Sequence, residues 1–121
     1  MAKILVADDE QDVGLIVTER LRRNGYEVDY ASDGDQAIAK AEANAYDLLI
    51  LDIHMPGHNG YEVCSYSKSS PKNKNTPVLF ISAFSEEQTK WRQSNADGFL
   101  AKPFETGRLT SDVERLLKRS H

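Results

Sequence analysis

The chain has 121 residues, 40% hydrophobic and 28% charged, which favours one domain over two and allows roughly two-thirds of the unfolded surface to be buried. Fifteen Lys plus Arg against 19 Asp plus Glu leave a net charge of -4, which argues against broad electrostatic capture of nucleic acid or of an anionic membrane. The single Cys64 excludes an internal disulfide and a thiolate zinc cluster, and no apolar run approaches the roughly 18 residues of a membrane span. Met1 to Lys3 lead straight into an apolar run with no secretory pattern, so a reducing, cytoplasmic setting is expected.

In chain order, the continuous apolarity of Ile4-Leu5-Val6-Ala7 predicts a strand covered on both faces, as in a parallel sheet flanked by helices. Val13, Ile16, Val17 and Leu21 recur at helical spacing, and Asn24-Gly25 ends that helix. Val28-Asp29-Tyr30-Ala31 alternates, which suits an edge strand wetter on one side. A helical stripe of Ala37, Ile38 and Ala41 precedes a second continuous run, Leu48-Leu49-Ile50-Leu51. The segment from Gly60 to Ser67 offers only Val63, Cys64 and Tyr66 to a helix, and Ser67 to Asn75 reads as a polar loop. After the strand Val78-Leu79-Phe80-Ile81, a helix over Glu86 to Asn95 has Trp91 as its only large apolar residue and is expected to be short. The strand Phe99-Leu100-Ala101 and a strong last helix bearing Leu109, Val113, Leu116 and Leu117 complete five βα units, hence right-handed crossovers and a doubly wound α/β sheet.

The chemistry collects at one edge of that sheet. Asp8 and Asp9 follow the first strand, Asp52 the third, Ser82 the fourth and Lys102 the fifth, and ligands of open α/β folds bind outside the carboxyl ends of strands, where chain order reverses. A strand order of 2-1-3-4-5 places that crevice between the first and third strands and brings Asp8, Asp9 and Asp52 together. Three carboxylates in one crevice repel each other unless positive charge compensates. Lys102 supplies one charge, and Mg²⁺, which takes a few oxygen ligands while keeping waters, supplies the rest. Such a centre suits a phosphoryl group, clamped by cation and lysine while a carboxylate attacks phosphorus.

On Ala7-Asp8-Asp9-Glu10, Leu51-Asp52-Ile53-His54-Met55-Pro56-Gly57, Gly60, Ser82-Ala83 and Lys102-Pro103-Phe104, the chain resembles the receiver domain of two-component response regulators over nearly all its length. The resemblance implies a flavodoxin-like (βα)5 domain over residues 1–118 with a five-stranded parallel sheet in the order 2-1-3-4-5. It also implies that Asp52 accepts a phosphoryl group from a histidine kinase or phosphotransfer protein, with slow self-dephosphorylation rather than metabolic turnover. Asp9, Asp52 and the backbone carbonyl of His54 would ligate Mg²⁺, and Asp8 would act through a bound water. Lys102 and Ser82 would contact the phosphoryl oxygens, Ala83 would keep the neighbouring backbone close, and the Lys102-Pro103 bond would be cis. Ser82 moving toward that group would open space for Phe99, the counterpart of the family's switch aromatic. Output to a downstream protein or domain would then leave through the fourth helix, fifth strand and fifth helix, and a phosphorylation-dependent dimer is a further state the resemblance allows.

Plainer readings exist for each residue. Asp8, Asp9 and Ser82 are also ordinary helix caps, Phe99 an ordinary core aromatic, His58 a solvated loop residue, and Cys64 a small buried apolar one. The His54 imidazole, facing the site, would alter how water attacks an acyl phosphate, and Trp91 suits either the core or an interface. Two other functions compete. A haloacid-dehalogenase-like phosphatase uses a strand-end Asp, a Ser or Thr, a Lys and Mg²⁺, but it wants Asp-x-Asp where this chain has Asp8-Asp9-Glu10. A flavodoxin-like cofactor module wants a Ser/Thr/Gly-rich loop where Asp8 to Asp12 would repel phosphate. Arg119-Ser120-His121 resembles the opening of a vector-derived polyhistidine tag.

Overall fold

A computed structural model describes residues 1–119, the Arg119 side chain excepted, so the suggested tag remnant lies outside the described residues apart from the Arg119 backbone. The elements run β1 (Lys3–Ala7), α1 (Gln11–Arg23), β2 (Glu27–Ala31), α2 (Gly34–Ala43), β3 (Leu48–Asp52), α3 (Gly60–Ser69), β4 (Val78–Ser82), α4 (Glu87–Lys90), a 3₁₀ turn (Trp91–Gln93), β5 (Gly98–Ala101) and α5 (Thr106–Arg119). The five strands form one sheet in the order β2-β1-β3-β4-β5, and every pair is parallel. This is the doubly wound sheet expected from the alternation of apolar runs and amphipathic segments, in the flavodoxin-like (βα)5 form that the resemblance implied.

Register explains why the continuous runs read as they do. All five residues of both β3 and β4 are buried, because helices cover both faces of the central strands. On one face Ile4, Val6, Ile50, Leu79 and Ile81 pack against Val17 and Leu21 of α1 and Leu109, Val113 and Leu116 of α5. On the other, Leu5, Leu49, Leu51 and Phe80 meet Ala37, Ala41, Val63 and Cys64 of α2 and α3. Each large side chain so buried contributes roughly 1.5–3 kcal/mol. The alternating strand, β2, is an edge, with exposed Glu27 and half-buried Asp29 and Tyr30.

Local signals set the helix ends. Asp33 accepts the Gln36 N–H at the start of α2, Asn59 and Glu62 form a reciprocal capping box on α3, and Gly25 takes the left-handed conformation (φ 95°) past the end of α1. The fourth helix is short, one turn followed by the 3₁₀ turn. The polar loop expected over Ser67 to Asn75 begins only after Ser69, where α3 ends, and one of its side chains faces inward. Asn73 is fully buried, donates to the Ala41 and Asn44 carbonyls, and accepts from Tyr46 N–H (2.8 Å) and the Thr76 hydroxyl. Its polarity satisfies backbone groups of the α2–β3 turn that water does not reach. No helix among the described residues is long and apolar enough to cross a membrane.

Candidate functional site

Parallel strands deliver their carboxyl ends to one edge, and there β1, β3, β4 and β5 bring Asp8, Asp52, Ser82 and Lys102 together. Lys102 Nζ lies 2.8 Å from Glu10 Oε1, 2.9 Å from Asp8 Oδ2 and 3.3 Å from Asp52 Oδ2, and its side chain is only 8% exposed. Carboxylate oxygens of Asp8, Glu10 and Asp52 lie within 4.8 Å of one another. The Lys102-Pro103 bond is cis.

The acidic membership differs from the expected Asp8, Asp9 and Asp52. Asp9 is exposed and stands outside this cluster, whereas Glu10, to which the strand-end pattern gives no separate role, reaches Lys102. The cause is local. Asp8 turns inward and its Oδ1 accepts the Glu10 N–H at 2.9 Å, so Glu10 begins α1 without a side-chain cap of its own and its carboxylate is available to the lysine.

Charge in the site is unbalanced. Burial, and then the Asp8 carboxylate, push the Asp52 carboxyl up to about 7 against the opposing pull of Lys102. Burial alone would lower the Lys102 pKa, but its bonds to Glu10 and Asp8 and the charge of Asp52 hold it above the usual lysine value. Asp8 is fully buried, and its Oδ2 has the Lys102 ammonium at 2.9 Å as its charged partner. Three carboxylates offering oxygens within 4.8 Å of one another, with one lysine among them, make a donor set that suits a hard divalent cation, and Mg²⁺ accepts that chemistry while retaining waters. The acidic triad is therefore poised to coordinate Mg²⁺.

The surrounding residues fix this geometry. Tyr30 donates its hydroxyl to the Asp8 carbonyl at 2.6 Å, and its ring occupies the space that a Cβ at Gly14 would need, which accounts for a glycine inside α1. A Cβ at Gly60 would lie 2.5 Å from the Asp52 carbonyl oxygen, so only glycine lets α3 begin so close to the end of β3. Gly57 (φ 78°) turns the β3–α3 loop against Asp35 of α2, whose carboxylate also meets His58 Nδ1. Ser82 is buried and its Oγ accepts the Phe84 N–H at 3.1 Å, leaving the hydroxyl proton to donate elsewhere. Phe99 is half-buried, with its ring stacked on Trp91 at a centroid distance of 6.2 Å. Cys64 is buried, and burial pushes its thiol up to about 11, which disfavours the thiolate.

His54 departs most from its expected surroundings. Its N–H reaches Asp52 Oδ1 at 3.3 Å, its ring packs on Phe84, and its Nε2 lies 2.9 Å from Oε2 of the buried Glu87. Glu87 carried no sequence signal, because it lies in the weakest helical segment and its partners come from α3 and the β3–α3 loop.

The family model for the Response regulator receiver domain matches residues 4–114. The transcriptional regulatory protein ResD of Bacillus subtilis (strain 168) is 37% identical over 120 residues, which are 98% of this chain and 49% of that protein. The chain spans about half the length of the curated relatives it matches. Among solved structures, the Francisella response regulator 1452 receiver domain superposes with a TM-score of 0.89 at 31% identity, over 100% of both chains. The Thermotoga maritima response regulator TrrA, solved in complex with Mg²⁺-BeF, gives 0.86 at 35% identity, over 96% of this chain and 99% of that one.

Proposed function

This chain belongs to the response regulator receiver domain family and is a phosphoacceptor domain, and from that premise we propose how its residues divide the work. Asp52 is the acceptor. Its buried carboxylate attacks the phosphorus of a phosphohistidine donor; an O–P bond forms as the donor N–P bond breaks, and the released imidazole takes up a proton from solvent. Lys102 faces the oxygens on which charge collects, and Ser82 donates its hydroxyl proton to one of them. Mg²⁺, when bound, would supply charge neutralisation at the phosphoryl group; Asp8, Glu10 and Asp52 would hold it, and we assign Asp9 and the His54 carbonyl as further ligands beyond that triad. The observation that carries this reading is the buried Asp8–Asp52 pair, with Lys102 Nζ at 2.9 and 3.3 Å.

The chain consumes one donor per phosphorylation and returns to its starting state by hydrolysis of its own acyl phosphate, so it is a switch and not a metabolic enzyme. The donor is a histidine kinase or phosphotransfer protein. Its approach is over the apolar groove of about 360 Å³ lined by Val13, Ile16, Phe104 and the Lys102 stem, beside exposed Leu15, Ile16 and Phe84. Output leaves through α4, β5 and α5, where Trp91, Phe99, Phe104 and Arg108 line a groove of about 670 Å³. A Ser82 hydrogen bond to a charged group, worth roughly 1.5–3 kcal/mol, is sufficient to shift the equilibrium about ten-fold or more toward the state that Phe99 reports. The domain is residues 1–118 and works in the cytoplasm. Incubation with acetyl phosphate and Mg²⁺ should add one phosphoryl group by mass spectrometry, and Asp52→Asn should take up none; undiminished uptake by that variant would refute the assignment.

A further inference from the structure

Glu87 is a buried carboxylate that phosphoryl transfer does not use. Only 2% of its surface is exposed, yet it lies in the four-residue helix α4, among the least regular elements of the fold. A carboxylate withdrawn from water persists only when its oxygens are paired. Both are: Oε1 accepts the Tyr61 hydroxyl of α3 at 2.7 Å, and Oε2 faces His54 Nε2 at 2.9 Å. Through His54 the chain of contacts reaches the acceptor itself, because the same residue's N–H lies 3.3 Å from Asp52 Oδ1. Phe84, two residues beyond Ser82, packs on the His54 ring at 4.2 Å between centroids, so the β4–α4 connection meets the β3–α3 loop at the same point.

We propose that Glu87 is a positioning residue that couples the occupancy of Asp52 to α4: it holds the His54 ring through one oxygen and Tyr61 through the other, so that a displacement of the His54 backbone on phosphorylation is transmitted to α4. The inference rests on Asp52 being the acceptor. Conversion of the Asp52 carboxylate to an acyl phosphate changes the group that the His54 N–H faces, and the loop carrying that N–H must readjust. Without Glu87, nothing among the described contacts links the His54 ring to α4 except the packing on Phe84. With it, movement of the loop either carries α4 along or takes the imidazole away from a buried carboxylate, and α4, one turn long, resists little.

Trp91, the chain's only tryptophan, directly follows α4 and stacks on Phe99, so its emission reports that region. The whole chain is treated with Mg²⁺ and acetyl phosphate, mass spectrometry gives the phosphorylated fraction, and the Trp91 emission change is expressed per phosphorylated molecule. In Glu87→Ala this change should fall at least five-fold, whereas Glu87→Gln, which keeps the length and an acceptor for Tyr61, should retain at least half. Should Glu87→Ala fail to fold, Tyr61→Phe decides in its place, with an expected fall of at least two-fold. A full Trp91 response in the deciding variant, or no response in a parent that is phosphorylated, overturns the coupling and leaves the acceptor role intact. A parent that takes up no phosphoryl group overturns both, and the mass measurement distinguishes the two failures.

Discussion

Burial and the neighbouring Asp8 hold the Asp52 carboxylate at an electrostatic disadvantage. With burial and Asp8 pushing its carboxyl up to about 7, the folded chain binds a proton near pH 4–7 that the unfolded chain has released. Without divalent cation, stability should therefore fall as pH rises through that window. Asp52→Asn removes the effect, so urea unfolding at pH 5 and 7.5 should show the variant gaining on the parent at the higher pH, by about 1–3 kcal/mol. A parent and variant that differ equally at both pH values would show that Asp52 carries no such penalty. Lys102 works in the opposite sense: Lys102→Met leaves three acids uncompensated and should lower the acetyl phosphate reaction rate by at least ten-fold, read by mass spectrometry over time.

At the scale of elements, helix propensity and tertiary contact make opposite demands on α1. Glycine inside a helix costs about 1 kcal/mol relative to alanine, so propensity alone would have Gly14→Ala stabilise the chain. The Tyr30 ring occupies that space, and Tyr30 in turn holds the Asp8 carbonyl. We expect Gly14→Ala to lower the urea midpoint and also to weaken Mg²⁺ binding by calorimetry, with Tyr30→Phe weakening Mg²⁺ binding while costing only about 1 kcal/mol of stability. The segment after α3 makes the same point. Ser, Lys and Asn in a row read as a polar loop, and within it Asn73 closes the backbone bonds of a buried turn, so Asn73→Ala should cost roughly 1–3 kcal/mol.

At the scale of the molecule, the site exists only because parallel pairing aligns four strand ends, and its negative charge is carried against the fold. A bound cation should therefore stabilise the whole domain by mass action, about 2.7 kcal/mol at a concentration one hundred times the dissociation constant. Thermal unfolding with and without MgCl₂ should show this rise in the parent and a much smaller one in Asp52→Asn. An unchanged midpoint across a wide Mg²⁺ range would contradict the metal role assigned to the acidic triad.

Much of this was written along the chain. Continuous apolar runs specify doubly covered strands because both faces of a parallel sheet must be dry, and the alternation in Val28–Ala31 marks the edge for the complementary reason. Strand-end positions alone place Asp8, Asp52, Ser82 and Lys102 together, since parallel strands share one carboxyl edge. Tertiary structure decided what no periodicity encodes: that Glu10 rather than Asp9 reaches Lys102, that Tyr30 accounts for Gly14, and that Glu87 joins His54 to Tyr61. Those outcomes depend on the direction in which each side chain leaves its backbone and on which distant element fills the space beyond it. Burial then fixes them, because a charged group removed from water is retained only where its partners come together in the fold.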